Sequence, residues 1–152
     1  MSSLVEQSGI RAMSAESVGL VRKIEDALLQ LEQPAIGTEH LIHGGMYART
    51  IVATAGTVMT GAMIQVPTIL VISGDVSVLI DGGAIDLVGF HVLPGSAGRK
   101  QAIYAREDTH VTMIFATGAE TVAEAEEEFT IEADRLASRR ESAINHIVIT
   151  EE

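Results

Sequence analysis

From Thr38 to Thr117, short β-branched runs alternate with glycine at intervals of roughly ten residues, a spacing that restricts this stretch to folds built from many short strands. The runs are Arg49–Ala53, Val58–Ile64, Thr68–Ile72, Val76–Ile80, Ala84–Val88, Gln101–Tyr104 and His110–Phe115. Between them stand Gly56, Gly61, Gly74–Asp75, Asp81–Gly82–Gly83, Gly89, and then Pro94, Gly95 and Gly98. Asp81–Gly82–Gly83 predicts a tight hairpin, because glycine supplies the positive φ such turns need. The intervals leave no room for crossover helices, so the sheet should be mostly antiparallel.

Helical patterns flank this region. Val18, Val21, Ile24, Leu28 and Leu31 recur at three- and four-residue steps, with Ser14 as N-cap and Pro34 as the stop. Met1 to Met13 is mostly polar without a period and reads as an arm. Later, Thr121 and Glu124 form a capping-box pattern, and Val122, Ala125, Phe129, Ala133 and Leu136 mark one apolar side. Glu124, Glu126, Glu127 and Glu128 crowd the front of that helix and Arg135, Arg139 and Arg140 close it, an order that suits the helix dipole and reads as a solvated face. His146–Ile147–Val148–Ile149 reads as a last strand or an interface strip. The expected division is an arm and helix over 1–37, a β-domain over 38–118, and a helix with a tail strand over 119–152, all one structural domain.

Composition removes several function classes. A length of 152 residues suits one hydrophobic core. There is no cysteine, hence no disulfide framework and no thiolate metal site. A formal net charge of −11 argues against phosphate backbones, so no nucleic-acid partner is expected. Three Phe, two Tyr and no Trp leave little for stacking bases or sugars. No apolar run approaches the roughly 20 residues of a membrane span, and the first residues lack a secretory signal pattern, so a soluble, unsecreted chain with no membrane partner is expected. Neither a Gly-x-Ser-x-Gly elbow nor a Walker pattern occurs.

Candidate chemistry is sparse. Glu39, His40 and His43 are the one cluster suited to a metal or a proton transfer, but on a strand His40 and His43 point to opposite faces. His91 is a candidate for the barrel interior, with a core histidine holding one hydrogen bond as the ordinary alternative. Arg99, Lys100 and Arg106 are candidates for holding an anion, with Tyr104 beside them; pairing with carboxylates such as Glu107 and Asp108 is the ordinary alternative.

The segments Thr38–Glu39–His40–Leu41, Gly45–Met46–Tyr47–Ala48–Arg49, Ala55 to Gly61, Ser73–Gly74–Asp75–Val76 and Gly98–Arg99–Lys100 resemble the cupin superfamily, and more narrowly the small cupin-like proteins of tailed phages and prophages. The resemblance covers Thr38 to Thr117. It implies a mainly β, antiparallel jelly-roll sandwich or barrel with an N-terminal and a C-terminal flanking helix. It also implies a metal held by two histidines and a carboxylate after a glycine, and a further histidine after Pro-x-Gly. Counted from Gly56, the histidine positions carry Ala62 and Ile64, and the acidic position falls near Thr68 or Ile69; after Pro94 the stretch through Gln101 has no histidine. The expectation is therefore no metal and no cofactor. Met46, Met59, Met63 and Met113, with Ala62, Ile64, Val66 and Leu70, suggest that the former pocket is packed or dry.

Three functions follow as expectations. The first is a non-enzymatic, metal-free structural or assembly protein of phage or prophage origin, in a bacterial host's cytoplasm or in a virion, associating with itself and with other phage structural proteins. Its contacts would use sheet edges, the added helices, or the strip Ile147–Val148–Ile149. The second is a module binding a small anionic or nucleotide-like molecule through Arg99, Lys100 and Tyr104. The third is a metal-independent sugar isomerase or epimerase, for which only His91 and Tyr104 are available as a base. Fold analogy alone does not choose among them.

Overall fold

The computed structural model describes residues 9–151. Ser14 caps helix α1 (Ala15–Leu28), its hydroxyl accepting from the Ser17 N–H at 3.2 Å. Gln33 closes the other end, its side-chain amide donating to the carbonyls of Leu28 and Leu31. Val21 is buried, and Val18 and Ile24 pack beside it against Ala102. The helix start is tied to the barrel by polar bonds as well: Ser14 N–H donates to Asp81, and Gly82 N–H donates to Ser17 Oγ. Of the expected arm, residues 1–8 lie outside the described residues. Its last part is docked, with Ile10 buried and bonded to Pro94 and Ser96, and Met13 bonded to Gly98.

The strands are β1 (Gly37–His43), β2 (Met46–Ala53), β3 (Val58–Thr60), β4 (Thr68–Ile80), β5 (Gly83–Gly95), β6 (Ala102–Ala105), β7 (Thr109–Ala116) and β8 (Ile144–Ile149). They form one curled sheet in the order β3-β6-β4-β7-β2-β1-β8, with β5 on the second edge of β4. Every pairing is antiparallel except β1 with β8. This is the expected mainly β, jelly-roll architecture with its two flanking helices.

Several boundaries differ from the sequence reading: the run Val58–Ile64 is a strand only over Val58–Thr60, and Pro94 and Gly95 belong to β5. Gly74–Asp75 and Gly89 do not end strands; they lie inside β4 and β5, paired with each other as Gly74↔Gly89 and Asp75↔Val88. At Gly74 the first edge of β4 changes partner, from β7 at Ser73 to β6 at Val76. The β6–β7 turn presses on that point, with Arg106 N–H donating to the Asp75 carbonyl at 2.9 Å. Glycine here marks a close approach of backbones rather than a turn. The hairpin at Asp81–Gly82 is present, with Ile80 paired to Gly83 and Gly82 at φ +75°.

The second helix is shorter than its pattern. Helix α2 spans Val122–Phe129, capped by Thr121, and is followed by 3-10 turns at Ala133–Arg135 and Ala137–Arg139. The chain turns extended at Thr130, and the Phe129 and Glu128 carbonyls accept from the backbone and side-chain N–H groups of Gln65 instead. The apolar residues keep their roles: Ala125, Phe129, Ala133 and Leu136 join the core formed by Tyr47, Leu70, Ile72, Val76 and Phe115. Beyond them, β8 lies parallel to β1 and covers that sheet edge within the same chain.

Candidate functional site

The concave side of the sheet is not filled. A cavity of about 420 Å³ lies between it, the end of α1 with the segment after it, and the 3-10 turns. Its walls are mainly apolar, with Ile51, Met59, Ile64, Leu70, Met113 and Phe129 among the lining residues. Of the expectation that the pocket is packed or dry, the packed alternative is thereby corrected. Most of the side chains invoked to fill it line the space, and Ala62 is too small to close it.

Polar groups enter this wall at a few points. Arg99 is 1% exposed. Its Nη1 donates to the Ser96 carbonyl at 2.6 Å, its Nη2 to Thr68 Oγ1 at 2.7 Å, and its Nε to Gln101 Oε1 at 3.4 Å. These partners are all uncharged, and no carboxylate pairs with the guanidinium among the described residues. Burial pushes Arg99 down to about 10. Thr38, on β1, also lines the cavity, and its buried hydroxyl has no hydrogen-bond partner among the described residues.

Most of the other charges near the cavity are matched; Glu32 and Arg140 have no oppositely charged partner among the described residues. Arg49 donates to Glu126 at 2.8 Å and to Ser138 at 3.0 Å, and lies 5.6 Å from the Phe129 ring centre. Glu126 is buried and also accepts from Arg139 at 2.9 Å. Burial pushes the pKa of Glu126 up, but the bonds from Ser138, Arg139 and Arg49 outweigh that and hold it below its ordinary value. The acidic front of α2 is thus not wholly a solvated face, because Glu126 holds an inward ion pair. At the mouth, Arg140 is half-buried and bonds Gln33.

The sequence candidates separate. Arg99 lines the cavity; Lys100, His91 and Tyr104 are not among its lining residues. Lys100 is fully buried, and its Nζ is held by Glu25 at 2.9 Å, the Gly61 carbonyl at 2.8 Å and Glu132 at 3.2 Å. His91 stands half-buried on β5 with its Nε2 2.9 Å from the Val88 carbonyl. Tyr104 is 43% exposed on β6. Arg106 pairs with Asp75 and Asp86, which adjoin it across the sheet, rather than with Glu107 or Asp108 beside it in sequence.

His40 and His43 do fall on opposite faces of β1, His40 inward and His43 outward. The His40 ring joins Tyr47 at 2.6 Å and Asn145 at 2.7 Å, and burial, partly opposed by the Asn145 bond, lowers its affinity for protons. His43 lies 2.6 Å from Thr150 Oγ1. Among the described residues no group of three or more histidines and carboxylates comes together as a metal site. Ala62, Ile64 and Gln101, three of the positions at which the resemblance expects ligands, line the cavity instead.

Thr38 and Arg49 were not singled out as site residues by the sequence. Only their place on the concave side brings them to the cavity, and the alternation of β1, with Thr38, His40 and Ile42 inward, was the available signal.

No protein-family model matches the chain, and no curated protein matches it. Solved structures of similar fold include a cupin superfamily protein from Desulfitobacterium hafniense, with 17% identity and TM-score 0.45 over 57% of this chain and 84% of that one. A cupin-2 domain protein from Shewanella frigidimarina has 9% identity and TM-score 0.44 over 61% and 91%. KdgF from a Halomonas species has 19% identity and TM-score 0.47 over 59% and 87%. The narrower resemblance to phage and prophage proteins has no support among these. No helix among the described residues is long and apolar enough to cross a membrane.

Proposed function

We propose that this protein is a binding module that holds a small anionic molecule inside its barrel. The observation that carries the reading is Arg99, a guanidinium buried in the cavity wall with only neutral partners among the described residues. An unpaired buried charge is costly, and neutral hydrogen bonds offset only part of that cost. A ligand anion would supply the missing charge. A cavity of about 420 Å³ falls in the ordinary range for small-molecule sites.

The test is a thermal-shift screen of carboxylates, sulfonates and phosphate esters beside neutral analogues of the same shape. At a ligand concentration of 100 times Kd the expected gain is about 2.7 kcal/mol. At least one anionic class should raise the melting temperature with saturation, and its neutral analogue should not. A flat response to every anion would overturn the reading.

A second reading concerns self-association, and β5 favours it. Among the described residues its second edge is bridged only at Gly95, by Ile10, and its outward face shows Val88, Phe90 and Val92 at 65%, 70% and 55% exposure. A long apolar edge of this kind is a template for pairing with a second copy. Light scattering tests it, and a monomer at micromolar concentration would sink it. A phage-derived structural role draws no support from any of these features.

A further inference from the structure

Resting on the binding reading above, we infer that the ligand is an amphipathic monocarboxylate, with one carboxylate at Arg99 and an apolar body with no second charge. The first reason is a charge count. Buried Lys100 is matched by Glu132 and Arg49 by Glu126, while Glu25 is shared between Lys100 and Arg135, which is 52% exposed. Arg140 stands at the half-buried mouth, where water screens it. That leaves one deep cation without a counter-charge among the described residues. One carboxylate neutralises it. A phosphate monoester brings about −1.5 to −2 charges, so part of its charge would be buried unmatched.

The second reason is the wall. Beyond Arg99, Gln101, Arg49, Thr38 and Thr60, and the carboxylates of Glu25 and Glu132 that Lys100 holds, most of the remaining lining is aliphatic or methionine, with Phe129 as its aromatic ring. A sugar or nucleotide carries many hydroxyls or a base that needs stacking and hydrogen bonds, and this surface offers neither in number. An alkyl or alicyclic body buries well there. At about 30 Å³ for each water-sized group, a cavity of about 420 Å³ accepts about 14 of them, which suits a medium-chain acid.

Isothermal titration of the unmodified protein with octanoate, octanol, octanedioate, octyl phosphate and adenosine monophosphate tests this. Octanoate should bind at least tenfold more tightly than each of the others. Tighter binding of octyl phosphate, adenosine monophosphate or octanedioate would overturn the monocarboxylate while leaving an anion site in place. No binding by any anion, or octanol equal to octanoate, would overturn both this inference and the binding reading. Two variants place the ligand. Arg99→Gln should bring octanoate down to the level of octanol, and Met59→Trp, which fills the cavity from β3, should remove binding of both with the far-ultraviolet spectrum unchanged. Should Arg99→Gln fail to fold, Met59→Trp and the unmodified protein carry the test; octanoate binding undiminished in Met59→Trp would place the acid elsewhere and overturn the inference.

Discussion

Thr68 accepts a hydrogen bond from Arg99 at 2.7 Å, across 31 positions of sequence. A hydroxyl there supports the guanidinium without neutralising it. Thr68→Val keeps the shape and removes the acceptor, leaving a donor of a buried charge unmet. A bond to a charged group contributes about 1.5 to 3 kcal/mol, so urea denaturation should show a loss of about 2 kcal/mol. A loss under about 0.5 kcal/mol would mean that water or Gln101 replaces the hydroxyl.

Glycines in this chain differ in what they do, and three substitutions should rank accordingly. A Cβ on Gly74 would stand 2.7 Å from the Thr109 Cα, a backbone atom that cannot step aside. Gly82 sits at φ +75° in the hairpin with open space around it, so a side chain there meets backbone strain alone. Gly118 has neither a positive φ nor a neighbour within 4 Å. Gly74→Ala should cost about 3 kcal/mol or more, Gly82→Val about 1 to 2, and Gly118→Val under about 0.5. Equal melting temperatures for Gly74→Ala and Gly82→Val would contradict the close approach at Thr109.

Legibility followed the range of the interaction. The hairpin at Gly82 and the caps at Ser14 and Thr121 are local, set by residues within a few positions, and could be read from the chain. Gly74 looked the same as a turn glycine, because its reason is Thr109, far away in sequence. The end of α2 at Phe129 was hidden likewise, since Gln65 supplies the competing bonds. Arg99 and Lys100 are adjacent and carry the same charge, yet Lys100 meets two carboxylates from distant elements and Arg99 meets none among the described residues. No pattern in the sequence distinguishes them, and the difference decides which residue is available to a ligand.

Acid should weaken the tie between α1, the barrel and the 3-10 turns. Burial pushes the Glu132 carboxyl up, but Arg22 at 2.6 Å, the Met63 N–H at 3.2 Å and Lys100 outweigh it, holding the group at about 2 against an ordinary 4.5. The folded value lies below the unfolded one. Its contribution is therefore complete above about pH 4.5 and is lost as pH falls toward about 2. Glu132→Gln should be about 2 kcal/mol less stable at pH 7, and the gap should close on acidification through that window. A gap that stays constant from pH 7 to pH 2.5 would show that the charge of Glu132 is not what stabilises the junction.

Self-association should run through β5 rather than the tail. The strip Ile147–Val148–Ile149 belongs to β8, and its backbone is already paired with His40, Leu41 and Ile42 of β1. The apolar face of α1 is likewise occupied, with Val21 buried and Val18 and Ile24 packed beside it. On β5, by contrast, the outward side chains of Val88, Phe90 and Val92 are 65%, 70% and 55% exposed. Two copies related by a two-fold axis can join their β5 edges antiparallel, the commonest closed arrangement for identical chains. The net charge of −11 opposes this, but salt screens it within about 10 Å, while apolar burial contributes roughly 25 cal/mol per Å². Light scattering at low micromolar concentration should give about twice the chain mass. Phe90→Asp with Val92→Asp should give the monomer with an unchanged far-ultraviolet spectrum, because both side chains point outward. Ile147→Asp with Ile149→Asp should leave the dimer intact. The reverse pattern, with the tail variant monomeric and the β5 variant dimeric, would move the interface to β8.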